Sequence, residues 1–551
     1  VYKFRDKNRK RKESRRKNKN KRMDRREKMS EYPFRSLGEM LEKRAEELKD
    51  KTALYYYDDT YTYTQLNEKA TRFANALRKL GFKKGDILGV FLYNSPETLI
   101  SFFGAHKIGV AASPVNTEWK EEEVHHQLSH SEAKGVIVHE DFLPVVENIK
   151  HRLPNLKHII IVEKIPAGRG LDYTMLMNEA SPHRDWELSA DLEDMAFLFY
   201  TAGTTGKPKG VPLLHRNIIS YYKAREGGIV GGGMAFGASL NLVFLVILPL
   251  YHVNAMMTSM ACINNGFTIC LRKKFSAREF WAVVERYKVN VMSAVPAVYN
   301  ILLKDEENYK KYDRSSFVLA ITGAAEISPE TIKRFEEKFG VMVYEGYGLT
   351  EGTVASTMNP FGERKIGSIG KPIPGQEVAI MDEKGNLLGP RQIGEIVIRG
   401  ENVMKGYYKD EKATRETIDE QGWLHTGDMG YYDEDNYFYI VGRKKDMIIR
   451  GGENIFPKEI EDFIQEHPKV LEAAVVGVPD PIMGEEAKAY VRKKDPSLTE
   501  EELRKYLESK LAKHKVPRYI SFVEDFPRNP MGKVLKRELR ELAKKEHPVN
   551  K

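Results

Sequence analysis

The eleven residues from Tyr200 to Gly210, YTAGTTGKPKG, put three glycines, three threonines and two lysines into one short loop. That chemistry narrows what the surrounding chain can build. Gly203, Gly206 and Gly210 let the backbone turn so that N–H groups approach anionic oxygens, while Thr201, Thr204 and Thr205 offer hydroxyls to phosphate or to its metal. Lys207 and Lys209 add mobile positive charge. The spacing departs from the GxxxxGK[ST] loop, whose lysine directly precedes the metal-binding hydroxyl. A strand-like apolar run, Met195 to Phe199, precedes the loop and a helix-like pattern, His215 to Tyr222, follows it, the setting in which α/β folds bind anions. Alone, the cluster reads equally well as a mobile surface loop.

Its company decides between these readings. Downstream lie YEGYGLTEG (Tyr344 to Gly352), GWLHTGD (Gly422 to Asp428), VGRKKDMIIRGGENIFP (Val441 to Pro457) and PRNPMGK (Pro527 to Lys533). Together and in this order, the five segments resemble the adenylate-forming superfamily of acyl-CoA and aryl-CoA synthetases, nonribosomal adenylation domains and beetle luciferases. The resemblance runs from about Pro33 to about Leu539, and RGGENIFPKEIE at Arg450 to Glu461 is most similar to fatty and other acyl-CoA ligases.

The resemblance implies a two-step reaction. A carboxylate attacks the α-phosphate of ATP, releasing pyrophosphate, and the CoA thiol then displaces AMP from the acyl adenylate. Bringing one anion against another requires neutralising charge, which Mg²⁺ and lysines supply. By family pattern, Lys533 is the catalytic lysine that reaches the acyl carboxylate and α-phosphate. Glu351 and Thr201 hold Mg²⁺, and Thr350 faces the phosphates. Tyr347, within Glu345-Gly346-Tyr347-Gly348, offers a ring to adenine, with Gly323, Ala324 and Ala325 on the other side. Asp428 takes the ribose hydroxyls and Arg443 contacts ribose and phosphate. Lys445 matches a hinge about which the small domain rotates, and Gly451, Gly452 and Glu453 match the loop lining the CoA channel. Ordinary alternatives stand beside these roles: core packing for Tyr347, a turn for Gly427-Asp428, and a solvated surface position for Lys445.

The segment PLYHVNAMMTSM, Pro249 to Met260, matches the acyl pocket, with His252 at its mouth beside the acyl carboxylate, Met256, Met257 and Met260 as apolar walls, and Gly323 bordering it. No Lys, Arg, Asp or Glu occurs between Gly227 and Leu271. Amino-acid-activating relatives carry an aspartate in this region for the substrate amine, so an uncharged acyl chain is favoured. Medium-to-long aliphatic acids are expected, with aryl or short branched acids, and acceptors other than CoA, left open. Leu242 to Leu250 is almost continuously apolar, but its shortness and the interruptions at Pro249 and His252 favour a buried strand over a membrane span. Six glycines between Gly227 and Gly237 depart from the family pattern.

Charge is concentrated at one end. Residues 1 to 28 hold 16 Lys/Arg and 4 Asp/Glu, a net +12, and the other 523 residues hold 72 and 75, a net −3. Without an apolar stripe this run is expected to be disordered, either a solvated or over-extended start or a weak electrostatic contact for RNA or an acidic membrane surface. The nucleic-acid-binding alternative rests on this tail. No apolar segment of signal-peptide length follows it, and Cys262 and Cys270 lack partner spacing, so a cytoplasmic protein is expected, with a membrane-peripheral one as the alternative. A homo-oligomer is compatible with this reading.

Periodicity predicts helices at Leu37 to Leu48, Thr64 to Leu80, Lys458 to His467 and Glu500 to Lys513. Strands are predicted around Ala53 to Tyr63, Ile87 to Leu92, Val136 to Val138, Val378 to Ile380 and Glu395 to Arg399, and a hairpin in GDMGYYDEDNYFYIVG. The fold class is α/β: a large N-terminal domain of layered β/α sheets with a β-rich subdomain, residues 29–442, and a small mobile α+β domain, residues 447–551, joined by a hinge at 443–446.

Overall fold

The computed structural model describes residues 32–547, apart from 164–168, 202–206, 223–228, 231–233, 236–240, 306, 326 and 529–533. The basic tail, Gly203, Thr204, Thr205, Gly206 and Lys533 therefore lie outside the described residues.

Two large sheets carry the N-terminal part. In the nine-stranded sheet, six central strands run parallel: Met342–Tyr347, Leu319–Thr322, Val291–Ala294, Val243–Val246, Thr268–Leu271 and Thr52–Tyr56, in that spatial order. The seven-stranded sheet is parallel through Leu171–Asp172, His158–Val162, Gly135–His139, Ile87–Phe91, Ala111–Pro114 and Met195–Thr201, and ends on antiparallel Lys209–Leu214. One continuous apolar core takes in residues of both sheets and of the helices Leu37–Leu48, Tyr63–Lys79, Pro96–Lys107 and Val253–Asn265. Parallel strands connected by helices bury both faces, which is why Ile87–Phe91 and Val291–Ala294 are buried along their whole length.

Local chemistry sets the helix boundaries. Ser36 caps the first helix by accepting from the Glu39 amide at 3.2 Å, and Thr62 with Gln65 forms a reciprocal capping box on the second. Pro96–Lys107 is buried almost throughout and still carries charge: Lys107 Nζ lies 2.6 Å from Glu42, which also pairs with Arg184. Such a cation is retained only because its partner is fixed. Gly38 lets these helices touch, since a Cβ there would stand 2.8 Å from the Lys107 amide nitrogen.

A four-stranded antiparallel sheet follows, Gln376–Met381, Gly394–Gly400, Leu424–Tyr432 and Phe438–Arg443. The last two strands form the hairpin predicted from GDMGYYDEDNYFYIVG. A separate sheet of Ile448–Arg450, Glu453–Ile455, Val470–Asp480, Gly484–Lys493 and Tyr519–Phe522 has its own apolar core with helices Pro457–Glu466 and Glu500–Glu508. This is the α+β unit expected after Gly442. Among the described residues no helix is long and apolar enough to cross a membrane, and Leu242 to Leu250 contributes the short buried strand Val243–Val246. In the Gly-rich stretch the backbone of Ile229–Val230 pairs antiparallel with Met234–Ala235.

Candidate active site

The Thr201 loop is not a strand-to-helix turn. Thr201 ends the strand Met195–Thr201, Lys209 opens the strand Lys209–Leu214, and the two residues pair antiparallel, so the two strands form a β-hairpin. Helix His215–Ile219 begins only after the second strand. That strand was hidden in the sequence by its proline, Pro212, and by its brevity. Lys207 is exposed and Lys209 half-buried.

Glu351 sits in the short 3₁₀ turn Thr350–Gly352. Tyr407, which no sequence signal marked, donates its hydroxyl to Glu351 Oε1 at 3.0 Å, and its ring lies 4.8 Å from Lys209 Nζ. Burial, followed by the Glu351 charge, pushes the Tyr407 phenol up, so it remains a donor. The next residue ties this segment to the hairpin, the Tyr408 amide donating to the Gly210 carbonyl at 2.8 Å. The hairpin lysine, the tyrosine and the metal-candidate acid thus form one chain of contacts. Among the described residues no group of three or more His, Cys, Asp or Glu is arranged to hold a metal. An ion held by one carboxylate and one hydroxyl completes its shell from water and phosphate, as Mg²⁺ habitually does, so the donor set fits that ion.

Around the residues expected to flank adenine the backbone is tightly packed. Thr322 and Glu345 are register partners on neighbouring parallel strands, bringing Gly323-Ala324-Ala325 beside Glu345-Gly346-Tyr347. A Cβ on Gly323 would lie 3.0 Å from the Gly346 carbonyl oxygen, and one on Gly348 would collide with the Val354 carbonyl at 1.6 Å. Glycine is required at position 348 on steric grounds alone.

Tyr347 is 9% exposed and packs in the apolar core of the β-rich sheet, where its hydroxyl donates to Asp428 Oδ2 at 2.7 Å. The Arg443 Nε holds the other oxygen, Oδ1, at 2.8 Å, from the cross-strand position directly opposite Asp428. Glu395, also unmarked in the sequence, accepts from the Gly427 amide at 2.9 Å and pairs with His425, fixing the irregular stretch of strand Leu424–Tyr432 that presents Asp428. Glu345 is buried, and its carboxyl is pushed up to about 8 by burial first and by the charge of Asp462 second. Asp462 belongs to helix Pro457–Glu466 of the small unit.

His252 precedes helix Val253–Asn265. Burial depresses its imidazole to about 4, and its Nε2 is buried without a hydrogen-bond partner. Met256, Met257 and Met260 on that helix are fully buried. Asn94 positions the segment: its side chain donates to the carbonyls of Leu248 and Arg272 and accepts from the Leu250 amide at 2.7 Å. Gly451 and Gly452, both with positive φ, form the exposed turn of the hairpin Ile448–Arg450 and Glu453–Ile455. Lys445 is exposed in the 3₁₀ turn Lys444–Asp446, which starts where the strand bearing Arg443 ends. Arg528 and Val534, on either side of residues 529–533, bridge antiparallel.

Residues 41–408 match the AMP-binding enzyme family, and residues 459–533 match the AMP-binding enzyme C-terminal domain. The chain belongs to this adenylate-forming family. Two relatives are each 33% identical to this family member. They are the long-chain-fatty-acid–CoA ligase of Bacillus subtilis, with 94% of this chain and 96% of that protein covered, and the crotonobetaine/carnitine–CoA ligase of Salmonella paratyphi A, with 92% and 99% covered. Among solved structures, the anthranilate CoA ligase AuaEII in complex with anthranoyl-AMP superimposes with a TM-score of 0.85 at 28% identity, over 94% of this chain and 99% of that one. The O-succinylbenzoate coenzyme A synthetase of Bacillus subtilis in complex with ATP and magnesium ion gives 0.78 at 30% identity, over 92% and 99%. This adenylate-forming enzyme is an AMP-forming acid–CoA ligase.

Proposed function

We propose that the enzyme activates an uncharged, mainly aliphatic carboxylic acid of medium to long chain and transfers it to CoA. The observation supporting this reading is a stretch of sequence from Gly227 to Leu271 without one charged side chain, which includes strand Val243–Val246, neutral His252 and the Met-rich helix Val253–Asn265. A substrate with a cationic or second anionic group would lose its hydration there with no countercharge. The similarity to a fatty-acid ligase supports the same reading; similarity to carnitine- and anthranilate-named ligases makes other acids the alternatives to test.

In the first step an acid oxygen attacks the α-phosphorus, the bond to the β-phosphate bridge breaks, and pyrophosphate leaves. Lys533, Lys209 and Arg443 bring positive charge to the triphosphate; Asp428 accepts from the ribose hydroxyls, and Tyr347 and Arg443 fix its rotamer. Glu351 and Thr201 would hold Mg²⁺, which supplies neutralisation of the phosphate charge when bound. In the second step the CoA sulfur attacks the acyl carbonyl carbon, AMP departs and the thiol proton passes to solvent. Rotation of the small domain, residues 447–551, about Lys445 would exchange Lys533 for the Gly451-Gly452-Glu453 turn, keeping the adenylate from water until the thiol arrives.

Mass spectrometry of products from enzyme, ATP, Mg²⁺, CoA and a mixed panel of straight-chain, branched, aromatic and cationic acids tests this. AMP with aliphatic acyl-CoA is expected. Thioester formed only from aromatic or cationic acids would overturn the substrate assignment, and absence of AMP with every acid would overturn the reaction.

A further inference from the structure

Helix Glu121–His130 faces the stems of the Thr201 hairpin with imidazoles at two positions one turn apart. His126 Nε2 donates to the Pro208 carbonyl at 2.9 Å, immediately before the second strand, and His130 Nδ1 makes a 2.9 Å hydrogen bond with the Tyr200 hydroxyl, immediately before Thr201. The two rings stack with centroids 5.5 Å apart, and Tyr200 and Tyr408 each turn an edge-on ring to His130. Between them on the helix, fully buried Gln127 donates to Ser113 Oγ at 2.8 Å, and Ser113 donates to the Leu198 carbonyl of the same first strand. Both ends of one loop are therefore tied to one helix, through polar groups where packing alone would call for apolar side chains.

We propose that His126 and His130 are positioning residues that clamp the two stems of the nucleotide loop and so set Thr201, Lys207 and Lys209 for adenylation. This rests on the ligase reading above. The helix itself is anchored in the core by Val124 and Leu128, so it provides a rigid mount. Thr201, Lys207 and Lys209 meet one phosphate chain only if both stems keep their separation, which the ties at Tyr200 and Pro208 fix before ATP binds. The second half-reaction, in which pyrophosphate has already left, has no need of this restraint.

The test compares wild type with His126→Ala, His130→Ala, the double variant and His126→Gln, whose amide retains a donor for the Pro208 carbonyl. ATP–pyrophosphate exchange with the preferred acid reports adenylation, and thioester formation from synthetic acyl-AMP plus CoA reports the second step. Exchange should fall about 10-fold in each alanine variant and on the order of 100-fold in the double variant. The thioester step should be unchanged, and His126→Gln should recover most of the loss. Equal loss in both half-reactions, or no loss in either, overturns the clamp. If wild type exchanges with no acid, the ligase reading fails instead, and calorimetric ATP binding to wild type and the double variant decides the clamp: equal affinities overturn it.

Discussion

Tyr347 donates its phenolic hydrogen to one oxygen of Asp428 at 2.7 Å while Arg443 occupies the other at 2.8 Å. The acid assigned to the ribose is thus held in one rotamer by a buried neutral donor and an exposed cation. A hydrogen bond to a charged group contributes about 1.5–3 kcal/mol. Tyr347→Phe should therefore raise the KM for ATP about 10-fold, and Asp428→Ala should lower kcat/KM for ATP on the order of 100-fold. Steady-state AMP formation across ATP concentrations checks both; a Phe variant with unchanged KM would make Tyr347 a packing residue only.

The Tyr407 contact makes a separate prediction about metal. Glu351→Gln should raise the Mg²⁺ concentration for half-maximal activity by more than Tyr407→Phe, for which about 10-fold is expected because the tyrosine only orients the acid. Mg²⁺ titrations at saturating ATP measure this. Identical titrations for wild type and the Gln variant would remove Glu351 from the metal site.

Lys533→Ala should slow acyl-AMP formation on the order of 100-fold, the scale expected for losing one preorganised charge at a reacting phosphate. Thioester formation from supplied acyl-AMP should persist. Parallel loss of both half-reactions would argue that the lysine supports the fold of the small domain instead.

Glu345 predicts a pH dependence of stability. Its carboxyl titrates at about 8 when folded against an ordinary 4.5, so the folded chain binds this proton more tightly. The resulting stabilisation is complete below the unfolded value, declines as pH rises and is gone above about 8. Denaturant unfolding at about pH 5 and about pH 8.5 should show a larger decline for wild type than for Glu345→Gln, whose side chain stays neutral. Asp462→Asn should reduce the decline by removing the second cause. Superimposable profiles for wild type and Glu345→Gln would contradict the prediction.

Elements with strong periodicity were legible in the sequence. The helix predicted at Leu37 to Leu48 has those bounds, and the short strands near Val378 and Glu395 are the cores of Gln376–Met381 and Gly394–Gly400. The helix predicted to run from Glu500 to Lys513 stops at Glu508, where the Ser509 amide donates to carbonyls of the last turn and its hydroxyl donates to the Tyr506 carbonyl. Lys209–Leu214 was missed because a proline at its fourth position argues against a strand, yet the strand lies at a sheet edge, where a missing N–H is tolerated. Motif text marked Asp428, Arg443 and Glu351 but could not mark Tyr407, Glu395 or His126, since their partners Glu351, Gly427 and Pro208 are 56, 32 and 82 residues away and nothing local announces such contacts.

The hairpin around Thr201 has one further consequence. A loop that opens a helix points a permanent dipole at its anion, and that attraction cannot be switched off. Two paired strands aim no such dipole, so in the reading proposed above the countercharge comes from side chains, Lys209 against the Tyr407 ring and exposed Lys207. Electrostatic grip built this way would be detachable: residues that gather a triphosphate through side chains could release a diphosphate fragment without any element of the scaffold having to unwind.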